Sequence, residues 1–94
     1  MTGCELIAQE RARQIEKEGW TPSHDDEHIR HELAWAARCY LAEAIQPRND
    51  TFIPGDWPWR EDWWKPTAGD PVRDLVKAGA LIAAEIDRLQ RKSA

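Results

Sequence analysis

Asp70-Pro-Val-Arg-Asp-Leu-Val-Lys-Ala-Gly-Ala-Leu-Ile-Ala-Ala-Glu-Ile-Asp-Arg-Leu-Gln-Arg91 carries the strongest structural signal of the chain. Asp70 reads as an N-cap, with Pro71 at the first helical position, where a missing N–H costs nothing. Val72, Leu75, Val76, Gly79, Ile82, Ala83, Ile86 and Leu89 then recur at the helix period. Arg88, Arg91 and Lys92 complement the negative end of the helix dipole. The spacing predicts a helix over 71–91. Its middle, Ala78–Ala84, is apolar all round, which implies burial on more than one side. In a chain of 94 residues the simplest second surface is another copy, so a homo-oligomer is expected.

Working back from this helix, residues 47–69 hold Pro47, Pro54, Pro58 and Pro66 and show no helix period. A connection longer than about 12–15 residues in a small domain is functional or disordered. Disorder would leave Trp57, Trp59, Trp63 and Trp64 in water, so an ordered loop is expected, with a short helical turn near Arg60–Trp64. Before it, Ile29, Leu33, Ala36, Ala37, Tyr40, Leu41 and Ala44 again follow the helix period, giving a helix over about 24–45 that Pro47 stops. Thr21-Pro22 and Ser23-x-x-Asp26 supply its start signals. A first helix over 3–18 carries a weak stripe of Cys4, Ala8, Ala12 and Ile15 and ends at Gly19. The expected fold is all-α: one domain, a three- to four-helix bundle with a long Trp/Pro-rich loop before the last helix.

Composition narrows the function. The net charge of −4 and pI near 5.3 argue against a polymeric nucleic-acid partner, because counterion release needs excess Lys and Arg. No apolar run approaches the roughly 18–20 residues of a membrane span, so no membrane partner is expected. Met1-Thr-Gly-Cys-Glu5 lacks a secretory leader pattern, which points to the cytoplasm. Cys4 and Cys39 fit no metal spacing and read as small apolar fillers on two helices.

Two constellations remain. All three histidines fall within eight residues, 24–31, among acids. His24, Asp25, Asp26, His28, His31 and Glu32 are candidate metal ligands, since i,i+4 pairs share a helix face. The plainer reading is an acidic N-terminus that suits the helix dipole. Four of the six tryptophans fall within eight residues, 57–64. They either cover the bundle or stack on a planar base, which is worth about 1–3 kcal/mol per base. Trp57, Trp59, Arg60, Trp63, Trp64, Lys65, Arg73 and Lys77 are therefore the candidate ligand-binding residues. Residues 47–77 carry five basic and six acidic side chains, a balance suited to one small phosphorylated ligand rather than a polyanion. Ser23 and Ser93 lie in no nucleophile motif. Carboxylate chemistry stays open through Glu32, Asp74 and Glu85.

Glu10-Arg11-x-Arg13-Gln14, Gly19-Trp20, Glu32-Leu33-Ala34, Asp74-Leu75-Val76-Lys77-Ala78 and Ala84-Glu85-Ile86-x-Arg88-Leu89 together resemble small phage and prophage proteins. The same order is similar to the MazG-like all-α nucleoside triphosphate pyrophosphohydrolases. That resemblance implies a helical oligomer that cleaves nucleoside triphosphates with Mg²⁺ held by E-E-x-x-E and E-x-x-D motifs. Glu32 falls at the second acid of the first motif, with His31 and Trp35 at the first and third. Asp74 falls at the glutamate of the second, with Lys77 where the aspartate belongs. Two of five carboxylates are retained, too few for a Mg²⁺ cluster that stabilises a pyrophosphate transition state.

The sequence thus favours a phage-type protein that sequesters a small nucleotide without hydrolysing it and needs no cofactor. In a host cytoplasm that ligand would be an immune signalling nucleotide. The alternatives are a divergent Mg²⁺-dependent pyrophosphohydrolase using Glu32 and Asp74, and an interaction module docking on a host protein through the Trp loop.

Overall fold

The computed structural model describes residues 1–93. Helix α1 spans Gly3–Glu18, α2 Pro22–Asp25, α3 Glu32–Ile45 and α4 Pro71–Ser93, with a 3-10 turn at Glu61–Trp63. The described residues contain no strand. None of their helices is long and apolar enough to cross a membrane. The fold is an all-α bundle in which α4 packs against α3, α1 and α2.

Each start has a local cause. Thr2 and Glu5 close a capping box on α1, and Gly19 ends that helix at φ 73°, a left-handed turn that suits glycine. Thr21 Oγ1 accepts the His24 N–H, and Pro22 occupies the first position of α2.

The helix expected over 24–45 is broken. It is a four-residue helix, a turn, and then α3 from Glu32. The break is at His31, which takes φ 62° and caps α3 without a side-chain bond. A left-handed non-glycine residue costs about 1–2 kcal/mol. Its ring Nδ1 lies 2.9 Å from Glu85 Oε2, and Glu85 is held in turn by Arg88 at 2.6 Å. A tertiary contact thus sits where the structure interrupts a helical period that runs through residue 31.

Which faces are buried also differs from the periodic reading. The core joins Leu33, Ala36, Ala37 and Tyr40 of α3 to Ala78, Leu81 and Ala84 of α4. Trp57 and Trp64 from the long connection close it, and Tyr40 meets Trp64 at 4.7 Å between ring centroids. Small residues face each other across α3 and α4, so the helices approach closely. The larger side chains of the α4 seam, Val72, Leu75, Ile82, Ile86 and Leu89, stay exposed. Only Val76 of that set is buried. On α1, Cys4, Ala8 and Ala12 are likewise exposed, and the buried residues are Glu10 and Gln14. Cys39 is the one cysteine that fills the core as expected.

Candidate functional site

Burying Glu10 on α1 is possible because cations meet it from two helices. Arg13 Nε and Nη2 reach its two oxygens at 2.8 and 2.9 Å, and Arg73 Nη2 reaches Oε1 at 2.7 Å. Burial works against its charge, but the hydrogen bonds from Arg13 and Arg73 prevail and hold the carboxyl below its ordinary range. One turn on, Gln14 is 2% exposed and donates Nε2 to Glu10 Oε2 at 3.2 Å. Its Oε1 is buried with no partner.

These residues form one wall of a cavity of about 210 Å³. Trp20, Tyr40 and Trp63 supply aromatic surface, Leu81 an apolar patch, and Arg13, Lys65 and Lys77 cations against Glu10 and Glu18. Lys65 donates its backbone N–H to Tyr40 Oη at 3.2 Å and accepts Lys77 Nζ at its carbonyl at 2.6 Å. Burial, with Arg73 nearby, pushes the Lys77 ammonium below its ordinary value. Burial raises the Tyr40 phenol to about 12, so it stays a neutral hydroxyl.

The eight candidate ligand residues therefore divide. Trp63, Lys65 and Lys77 meet at the cavity, and Arg73 stands behind it on Glu10. Trp57 and Trp64 lie in the core, with Trp59 packed against it. Trp57 lies 5.0 Å from Trp64 at 60° and 5.4 Å from Trp59 at 86°, so no slot for a base opens between them. The Trp57 indole N–H is taken by the Arg60 carbonyl at 2.9 Å. Arg60 itself is exposed and paired with Asp62.

The candidate metal ligands are not assembled. Asp25 pairs with Arg11 at 2.8 Å, Asp26 with Arg91 at 2.8 Å, and His31 with Glu85. His28 Nδ1 stands 3.5 Å from Glu32 Oε2. Among the described residues no group of three or more His, Cys, Asp and Glu could hold a metal ion. The two carboxylates left from the hydrolase pattern are also apart. Glu32 follows His31, whose ring meets Glu85, whereas Asp74 sits eleven residues before Glu85 on α4, about 16 Å of helix rise. Asp74 is committed to the Thr67 N–H at 2.9 Å, and burial raises its pKa. These residues do not fit a shared Mg²⁺ site within one chain.

A second polar cluster lies on the other side of Trp59. His24 and His28 rings meet at 4.9 Å, and His28 and Trp59 at 5.2 Å. His24 Nδ1, Asp25 Oδ1, His28 Nε2 and Trp59 Nε1 are all buried without partners.

Sequence reasoning missed Glu10, Gln14 and Trp20. The available signal was the poverty of apolar positions on α1. A helix that packs without a good apolar stripe must bury polar groups, and the i,i+4 pair Glu10 and Gln14 is where that happens. Comparison of the chain with family models, curated proteins and solved structures finds no match.

Proposed function

We propose that the chain binds a small nucleotide in the cavity between α1 and α4 and releases it chemically unchanged. The observation that carries this reading is the cavity wall. It combines aromatic faces (Trp20, Tyr40, Trp63) with cations (Arg13, Lys65, Lys77). A volume of about 210 Å³ suits a base or nucleoside fragment, below the roughly 300–1,000 Å³ of drug-sized sites. Phosphates then lie toward the lysines at the rim. The separation of Glu32 from Asp74 favours binding over Mg²⁺-assisted hydrolysis. In the setting implied by the phage resemblance, the ligand is a host signalling nucleotide and sequestration is the activity.

The proposal includes self-association through α4. Val72, Leu75, Ile86 and Leu89 are exposed and spaced 3, 11 and 3, the same in both directions. Two antiparallel α4 helices about a twofold axis would set Val72 against Leu89 and Leu75 against Ile86, with the exposed Ile82 near the axis. Their dipoles would then oppose favourably.

Titrating the protein with linear and cyclic nucleotides, with and without Mg²⁺, while following tryptophan emission tests the binding reading. A saturable change is expected, and Trp63→Ala should weaken binding by about 1–3 kcal/mol with helicity intact. Emission that no nucleotide alters, together with none retained in equilibrium dialysis, would overturn it.

A further inference from the structure

A second cavity, of about 420 Å³, opens between the end of α3 and the start of α4. Its volume falls within the usual span of small-molecule sites. Four carboxylates (Glu43, Asp50, Asp70 and Asp74) line it against two cations, Arg48 and Lys65. Asp74 is the buried member, 3% exposed. Its Oδ1 accepts the Thr67 N–H at 2.9 Å. Lys77, one turn on, spends its ammonium on the Lys65 carbonyl and the Thr67 hydroxyl. Among the described residues Asp74 Oδ2 has no hydrogen-bond partner, yet it is not one of the fully enclosed partnerless atoms. It therefore keeps a little open surface, and the space Asp74 lines is this cavity.

We infer that this cavity binds a small aliphatic primary amine, whose ammonium donates to Asp74 Oδ2. The positive end of the α4 dipole, roughly half a charge, disfavours a cation there, but Asp70 and Asp74 outweigh it. A bare metal ion needs several oxygen ligands at once. Among the described residues no group of three or more His, Cys, Asp and Glu could hold one. An ammonium needs one strong acceptor, and its alkyl chain can lie along Trp64 and Pro66 of the same wall. The site is separate from the nucleotide cavity and does not rest on that reading.

The experiment titrates isotope-labelled protein with n-butylamine and follows the Thr67 amide, which rests on Asp74, by NMR. A saturable shift is expected. Butyltrimethylammonium, of equal charge but without an N–H, should bind about tenfold more weakly. Asp74→Asn keeps an oxygen for Thr67 and should weaken n-butylamine binding about tenfold. Asp50→Asn, exposed on the same wall, should weaken it by less than about threefold. Equal binding of the two amines by the unaltered protein would overturn the inference, whether or not Asp74→Asn folds. Equal losses in the two variants would leave only a diffuse acidic surface and overturn it too. So would a Thr67 amide that millimolar n-butylamine does not move.

Discussion

Gln14 donates Nε2 to the buried Glu10 carboxylate at 3.2 Å, and both residues line the cavity. The pair ties the candidate site to Arg73, which holds α1 on α4 through Glu10. Local electrostatics and the site are thus one arrangement, and both respond to Glu10.

Glu10 and Glu85 should make the protein acid-labile. Burial opposes the charge of each, but Arg13 and Arg73 on Glu10, and Arg88 and His31 on Glu85, lower both below their ordinary 4.5. A carboxyl lowered in the fold contributes fully above its unfolded value and loses that contribution as pH falls through the folded one. Asp25 and Asp74, raised by burial, act in the opposite direction and soften the decline. Urea midpoints should therefore be level near neutral pH and fall below about pH 4.5. Glu10→Gln should cost about 2–3 kcal/mol at pH 7, discounted because its arginines remain a third exposed, and should flatten the acid limb. A variant whose acid limb matches the parent would remove Glu10 from this account.

Gly79 is required by a close approach. A Cβ built there would stand 2.5 Å from Ile7 Cδ1 and 2.8 Å from its Cγ1. Gly79→Ala gains about 1 kcal/mol of helix propensity, against an overpacking cost of about 1–3 kcal/mol. A net loss of stability is expected, and it should shrink when Ile7→Ala is added. Additive effects of the two changes in thermal unfolding would mean that α1 does not rest on Gly79 as described.

The two thiols should differ in reactivity. Cys4 is exposed, whereas Cys39 is buried, donates to Asp56 Oδ1 at 3.3 Å, and is pushed up to about 12 by that burial and contact. A thiol-exchange reagent at pH 8 should titrate one equivalent in the folded protein and two in denaturant. Two fast equivalents in the folded state would contradict the burial of Cys39.

Self-association should depend on the outer face of α4. Ile86 is 51% exposed and contributes nothing to the core. Ile86→Glu should leave helicity unchanged and convert a dimer to a monomer in light scattering. If the unaltered protein is itself monomeric at high micromolar concentration, the antiparallel α4 pairing is wrong.

The helices were legible because their signals are local: Thr-Pro and Asp-Pro starts, Gly19 at the end of α1, and the periods of α3 and α4. What periodicity could not say was which apolar side of α4 faces inward. That was decided by alanines packing on Ala36 and Ala37, not by the larger seam residues. Nor could it show the break at His31, whose ring meets Glu85, 54 residues away in sequence. The tryptophan cluster read equally as clamp or cover. Trp57 and Trp64 are buried in the core, and Trp63 is the one of the four that lines the cavity beside Glu10 and Gln14. Glu10 and Gln14 were hidden because a buried polar pair on a charged helix looks like a solvated face until its arginine partners are placed.

The most direct test of sequestration mixes stoichiometric protein with a nucleotide panel and Mg²⁺. The free pool is chromatographed before and after heat denaturation. The account predicts that one class of nucleotide disappears from the free pool and returns intact on heating. Conversion of that nucleotide to a mono- or diphosphate would contradict it and establish hydrolysis despite the separation of Glu32 from Asp74.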